Sequence, residues 1–182
     1  GKGWWGNKFG VQLGGKYINA FNIKNLDLQG EVNLVRPFTY SHYNGVANYT
    51  HYNQPLAHPL GAGFGEFIGI IRYQPKPRWN ALARLIYFTQ GIDSAGRNFG
   101  NNIFLSSNSR PFEYGYQVPS GIKSKVANVY LSLSYEVKEN LFIDGSVLAR
   151  NVEASGRPDL SLNTGLISLG LRVNMFRREY AY

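Results

Sequence analysis

Residues 37–64, PFTYSHYNGVANYTHYNQPLAHPLGAGF, decide the fold, because they interrupt a sequence that otherwise alternates with a period of two. Apolar residues alternate along the chain from Leu28 to Leu34 before this stretch and from Phe67 to Tyr73 after it. Such alternation predicts β-strands, so the stretch is a long loop between two strands that are neighbours or near-neighbours in a sheet. A loop of this length without helical periodicity is uncommon in a compact domain unless it is functional.

Composition favours an all-β chain. Of the 182 residues, 15% are aromatic, 13 are Tyr, 21 are Gly and only 16% are charged. The hydrophobic fraction of 43% is ordinary and allows one domain. The chain contains no cysteine, which excludes disulfides and cysteine metal sites. The first residues, GKGWWGNKFG, lack an initiator Met and a signal-peptide pattern, so we expect a mature or internal start.

The net charge of +8 does not indicate a nucleic-acid partner, because the basic residues are scattered and form no dense run beyond Arg177-Arg178. No apolar run approaches the roughly 20 residues that a membrane helix needs.

Seven strands are predicted from the alternation, at residues 8–17, 28–36, 64–73, 79–90, 128–136, 141–150 and 167–175. Their connections alternate between short and long, and the three longest span about residues 37–64, 91–123 and 153–161. Transmembrane β-barrels sort their connections in this way, with tight periplasmic turns and long extracellular loops. We therefore predict an all-β, antiparallel transmembrane β-barrel, with residues 1–182 forming about seven strands of it.

Aromatic residues lie at the short-turn ends of these strands, as expected of a girdle at a membrane interface: Tyr17, Tyr73, Trp79, Tyr135, Phe176, Tyr180 and Tyr182. Complete bacterial barrels have an even number of strands. An odd number ending at the periplasmic side predicts the C-terminal portion of a larger barrel, or a closed barrel whose partner strands lie elsewhere.

Charged residues on the other strand face would point into the lumen. We expect an ion-pair network there, formed by Glu31, Arg36, Glu66, Arg72, Arg84, Arg150 and Arg172. Glu31 and Glu66 also suggest a paired acid and base. The arginines within reach favour the ion-pair network instead, and no catalytic arrangement is predicted.

The long loop offers a candidate surface for binding polysaccharide or a partner, composed of Tyr40, His42, Tyr49, His51, Asn53 and His58. Aromatic rings cover the apolar face of a sugar, and amides bond its hydroxyl groups. The alternative is that these rings pack the loop over the barrel mouth or against lipopolysaccharide. The three histidines are nine and seven residues apart, which fits no short ligand pattern, so neither a metal nor another cofactor is predicted.

The sequence resembles a known family at this loop. The motifs are Tyr40-Ser41-His42 and Leu-Ala-His-Pro-Leu-Gly at residues 56–61, with Glu31, Asn33 and Glu66 in the flanking strands. They resemble the C-terminal part of the capsule assembly Wzi family of outer-membrane barrels, and most closely its gliding-motility RemB-like branch. The C-terminal GLRVNMFRREYAY is similar to the aromatic last strand of such barrels.

The resemblance implies a non-enzymatic protein in the outer membrane of a Gram-negative bacterium of the Bacteroidetes type. It implies attachment of surface polysaccharide, or a part in cell-surface organisation and gliding motility. Outer-membrane lipid and lipopolysaccharide are the implied partners, with surface polysaccharide or other outer-membrane subunits in addition. Asp93-Ser94-Ala95 resembles the O-glycosylation motif of Bacteroidetes secreted proteins, which suggests modification at Ser94.

Two other classes of function remain open. One is a porin-like channel, or a barrel subunit of an outer-membrane secretion or assembly complex. The other is a soluble β-sandwich lectin or enzyme, in which the apolar strand faces would pack on each other.

Overall fold

The structure is a computed structural model that describes residues 2–93 and 96–174. Its long strands are β1 (Gly10–Tyr17), β2 (Leu26–Val35), β5 (Phe64–Tyr73), β6 (Trp79–Ile92), β7 (Ile122–Lys138), β8 (Leu141–Ala154) and β9 (Leu162–Val173). Two-residue strands β3 (Thr50–His51) and β4 (Gln54–Pro55) form a small hairpin between β2 and β5. Four single 3-10 turns lie at Ala20–Asn22, Gly45–Ala47, Ser107–Ser109 and Pro158–Leu160.

The seven long strands form one antiparallel meander in the order β1-β2-β5-β6-β7-β8-β9. This confirms the all-β, antiparallel prediction. Within the described part of the chain, β1 and β9 lie at opposite edges and do not pair with each other, so the sheet is open. No helix in the described ranges is long and apolar enough to cross a membrane.

Strands β6, β7, β8 and β9 are longer at their loop ends than the alternation predicted, whereas β1 and β2 stop slightly short of the prediction there and β5 matches it. β7 begins at Ile122, because Lys123 and Lys125 continue the ladder opposite Gly91 and Thr89. These residues lack the apolar signal from which a strand is read in sequence, but their backbone groups pair as regularly as those further along. We call the end of the sheet that carries the connections β2–β5, β6–β7 and β8–β9 the loop end. The opposite end, which carries the connections β1–β2, β5–β6 and β7–β8, is the short-turn end.

One face of the sheet is apolar. Residues directly opposite each other in an antiparallel pair share a face. One such row crosses all seven long strands: Tyr17, Leu28, Ile71, Ala83, Leu131, Val147 and Ile167. We call the face that contains this row the apolar face. Among the described strand residues, the charged side chains on this face lie at its two ends: Lys123, Lys125 and Glu153 at the loop end, and Lys138, opposite Leu141, at the short-turn end.

The other face, the polar face, mixes charged and polar groups with apolar ones. Its rows include Gln12, Asn33 and Glu66 near the loop end and Ser134 and Asp144 near the short-turn end. Glu66 and Arg72 share this face with Ile68 and Ile70. The described residues therefore form a sheet with two chemically distinct surfaces and no second sheet packed on either.

Candidate functional site

The long loops and the N-terminal segment fold together at the loop end of the sheet. We call this unit, residues 2–9, 36–63 and the described part of 93–121, the loop cap. Backbone hydrogen bonds join its parts: the Phe38 amide donates to Gly100 O at 2.9 Å, the Ser107 amide to His42 O at 2.9 Å, and the Trp5 amide to Glu113 O at 3.1 Å. The cap is thus a folded structure in which each segment fixes the others.

Phe38 is the centre of the cap and is completely buried. Its ring lies edge-on to Tyr116, with centroids 5.0 Å apart, and to Trp5 at 6.1 Å. Gly100 has a φ of +83°, and a Cβ there would lie 2.5 Å from the Phe38 ring. Only glycine combines this backbone conformation with so close an approach.

Polar groups stabilise the cap where its backbone is irregular. The Asp93 carboxylate accepts hydrogen bonds from the Phe99 amide at 2.8 Å, from Asn101 Nδ2 at 2.9 Å and from the Asn102 amide at 3.2 Å. Lys8 Nζ donates to Ser41 O at 2.6 Å. Burial, and after it the charge of Arg110, lowers the pKa of Lys8. The neighbouring Ser94, suggested for glycosylation, lies outside the described residues.

Two of the six predicted binding residues face inward. Tyr40 packs against the core cluster of Val35, Ala62, Phe64 and Ile103. Burial, and then the neighbouring Tyr49, raises the pKa of Tyr40.

His58 is the second inward residue and connects the loop to the sheet. Its Nε2 lies 3.1 Å from Glu66 Oε2, and its Nδ1 accepts a hydrogen bond from the Leu60 amide at 3.2 Å. Because Nδ1 accepts, the proton of the neutral ring is on Nε2, where it donates to Glu66. The ring also lies 4.5 Å from that of Phe64. His58 therefore holds the loop in place and is not presented on its surface.

The other four residues lie toward the outer side of the loop. Tyr49 stacks on Tyr40 with ring centroids 5.9 Å apart. His51 and Asn53 belong to the β3–β4 hairpin, next to Tyr52, which is 89% exposed. His42 lies beside Tyr43, and its Nδ1 accepts a hydrogen bond from the Asn44 amide at 3.2 Å.

The second long loop adds exposed aromatic residues that the sequence analysis did not single out, at Phe104, Phe112 and Tyr114. The two loops meet where Ser106 Oγ donates to Tyr43 O at 2.6 Å. The aromatic content of the two loops was visible in the sequence. The contact between them was not, because it links residues 63 positions apart. The candidate binding surface therefore spans both loops.

The expected ion-pair network takes a different form, because the two glutamates bond to neutral or imidazole partners. Asn33 Nδ2 donates to Glu31 Oε1 at 2.8 Å and to Glu66 Oε2 at 2.9 Å. Gln12 Nε2 donates to Glu31 Oε1 at 2.8 Å. A continuous chain of hydrogen bonds thus runs from β1 across the polar face to His58, and no arginine among the described residues bonds to either glutamate.

The arginines of that prediction are dispersed. Arg72 donates to Gln29 Oε1 at 3.0 Å, and Arg84 lies over the Tyr130 ring at 5.4 Å. Arg172 pairs with Asp144 at 2.8 Å. Arg150 lies opposite Asn128 and Thr164 in the register.

Arg36 does not lie on the polar face, so its assignment to the lumen network is corrected. Its amide donates to Phe9 O at 3.0 Å, and its guanidinium lies 5.8 Å from the Phe9 ring. Arg36 has the same parity as Leu34 on the apolar face. The charge of Arg36 suggested a place in the lumen, but the pleat of β2 decides its side.

No group of three or more histidine, cysteine, aspartate or glutamate side chains suited to a metal ion occurs in residues 2–93 and 96–174. The geometry is that of a folded loop cap with an aromatic outer surface, held to the sheet by a buried glutamate.

Comparisons of the chain with protein-family models, with curated proteins and with solved structures find no match.

Proposed function

We propose that this chain forms the C-terminal strands of a larger outer-membrane β-barrel. In this proposal the apolar face contacts hydrocarbon, the polar face lines the lumen, and the loop cap is extracellular. The observation that carries the proposal is the apolar face itself, which no other part of the described chain covers.

The exposure of the apolar face is too large for a surface in water. On interior strands, which have a neighbour on each side, Leu131 is 50% exposed, Leu133 49% and Ile71 46%. Contiguous apolar patches on soluble proteins rarely exceed a few hundred Å². On β7 the uncharged band runs from Ala127 to Tyr135, nine residues, which agrees with the roughly 9–11 residues of a tilted transmembrane strand.

The aromatic residues at the short-turn end support the same orientation. Tyr17, Tyr73, Trp79 and Tyr135 all lie on the apolar face, and the rings of Trp79 and Tyr135 are 4.6 Å apart. Amphipathic rings of this kind accumulate where hydrocarbon meets headgroups. The other three residues of the predicted girdle, Phe176, Tyr180 and Tyr182, lie outside the described residues.

The proposed role is binding without catalysis: attachment of surface polysaccharide, or organisation of the cell surface as in gliding motility. The resemblance to the Wzi and RemB-like proteins suggests it, and the aromatic and amide groups of the loop cap suit it. Outer-membrane lipid and lipopolysaccharide would surround the barrel, and surface polysaccharide would bind the cap.

The proposal is tested with the natural full-length protein and a matched pair of variants. Tyr52→Ala removes the most exposed tyrosine of the cap, whereas Tyr17→Ala removes an exposed tyrosine at the opposite end of the sheet. We expect Tyr52→Ala to weaken binding of the strain's surface polysaccharide by about two- to ten-fold, since one aromatic contact contributes about 0.5–1.5 kcal/mol. Equal binding by both variants would contradict a polysaccharide site on the hairpin.

A second candidate is a porin-like channel, or a barrel subunit of a secretion or assembly complex. The dispersed charges of the polar face favour it, because Arg72, Arg84 and Arg150 would line a water-filled lumen. Conductance of the purified full-length protein in a planar bilayer distinguishes the two candidates. Stable, ion-selective openings support a channel, whereas their absence in protein shown to be inserted supports a plugged or structural barrel.

A further inference from the structure

A cavity of about 490 Å³ lies where the apolar face meets the loop cap. Phe9, Leu34 and Val118 give it apolar walls, and Lys2, Arg36 and Gln117 give it polar ones. No aspartate or glutamate is among the described residues that line it. The cavity therefore combines apolar surface with positive charge that has no local counter-charge.

Backbone carbonyl groups fix the position of the Arg36 guanidinium, which suits it to bind an anionic ligand. Its Nε donates to Asn7 O at 2.8 Å, and its Nη2 lies 3.4 Å from Tyr116 O and 3.5 Å from Trp4 O. Among the described residues, no acceptor is bonded to Nη1. A guanidinium fixed in this way retains donors for an oxyanion and loses little freedom when it binds one.

The position of the cavity indicates what kind of anion it takes. Leu34 belongs to the row that crosses the sheet through Gly65 and Thr89 to Lys125, at the loop end of the uncharged band. In a membrane this row lies at the boundary between hydrocarbon and headgroups. Lys125 lies directly opposite Glu153 in the register, whereas Arg36 has the Phe9 ring beside it.

We propose that this cavity binds the phosphate headgroup of a phosphorylated lipid from the outer leaflet. The phosphate lies between Arg36 and Lys2, and the first part of the lipid chain lies along Phe9 and Leu34. The inference rests on the proposed membrane location, which fixes the depth of the cavity in the bilayer. It adds a specific anionic ligand to the proposed function.

The test is native mass spectrometry of the natural full-length protein in neutral detergent micelles, with phosphatidic acid as the probe. We expect Arg36→Gln to bind phosphatidic acid about ten-fold more weakly, the effect of losing one charge-assisted hydrogen bond. Lys125→Gln removes a cation of the same face, in the row of Leu34, and should bind as the natural protein does. An equal loss in both variants would show general attraction to positive charge and would overturn the site.

A substitute variant and a competition with inorganic phosphate complete the test. Lys2→Glu reverses an exposed charge of the same cavity, so it replaces Arg36→Gln if that variant fails to fold, and we expect it to weaken binding. Inorganic phosphate at the concentration of the lipid should not displace it. Displacement would show a site for free phosphate and would overturn the lipid assignment.

Flotation with vesicles separates this inference from the proposed function. Protein that floats but shows no preference for phosphatidic acid refutes the cavity site and leaves the membrane location intact. Protein that does not float refutes both.

Discussion

Replacing Leu131 with arginine places a charge in the middle of the proposed lipid face. Leu131 lies on β7 between Ala83 and Val147 and is 50% exposed. If hydrocarbon covers this position, the charge has no water or counter-ion nearby, and the free energy of unfolding should fall by about 2–4 kcal/mol. That change lowers the folding equilibrium constant by about 30- to 700-fold, since 1.4 kcal/mol is a factor of ten.

Asn151→Arg is the matched control. Asn151 lies on the same face but nearer the loop end, opposite Ala127 and Asn163. A charge at that height reaches the headgroups, so the expected loss is about 0–1 kcal/mol. The assay is urea unfolding of the natural full-length protein in phospholipid vesicles, followed by tryptophan fluorescence.

Contact of the apolar face with hydrocarbon is refuted by either of two results. A half-exposed residue on a water-covered surface changes stability by about 0.5 kcal/mol or less when it is replaced. If Leu131→Arg costs no more than that, or no more than Asn151→Arg, the apolar face does not contact hydrocarbon. Folding of the natural protein in water at the same stability as in vesicles would lead to the same conclusion.

Three further predictions concern the loop cap. Glu66→Ala removes the buried acceptor of the His58 and Asn33 hydrogen bonds. The free energy of local unfolding of the 36–63 loop should fall by about 1–3 kcal/mol, so proteases should cut this loop faster. Unchanged cleavage would contradict the role of Glu66 as an anchor. Gly100→Ala forces a Cβ onto a buried ring at positive φ and should lower the melting temperature of the cap, whereas Gly145→Ala, with open space around it, should leave that temperature nearly unchanged. Burial raises the pKa of Tyr116, so its contribution to stability is fully present below about pH 10, the ordinary tyrosine value, and is lost as pH rises through the raised pKa. Ultraviolet titration of the natural protein against Tyr116→Phe measures this difference, and identical titration curves would refute it.

Much of the fold follows from local pattern. Strand β5 begins and ends where the alternation predicted, at Phe64 and Tyr73. The alternation also identified the apolar face, because a period of two assigns every second side chain to one side. It could not show whether the sheet closes, since a period of two assigns side chains to faces and does not pair one edge strand with another.

The loop cap could be predicted only in outline. The lack of helical periodicity marked residues 37–64 and 91–123 as long loops, but no periodicity indicates that Phe38 packs against Gly100 and Tyr116. The pairing of His58 with Glu66 joins a loop to a strand through side chains alone, and the sequence analysis instead expected arginine near that carboxylate. Arg36 was misplaced for a similar reason: its charge suggested a lumen, whereas its position in the pleat assigns it to the other face.

The most direct test of the central claim is a spin-label scan along β7, from Ala127 to Tyr135, in the full-length protein reconstituted in vesicles. The chain described above has no cysteine, so single cysteines introduced along the strand are labelled without interference from it. We expect labels at 129, 131 and 133 to be accessible to oxygen dissolved in the bilayer and protected from a water-soluble nickel complex, while labels at 128, 130 and 132 show no such lipid exposure. Equal accessibility of both sets, or contact of the first set with the nickel complex, would contradict this expectation.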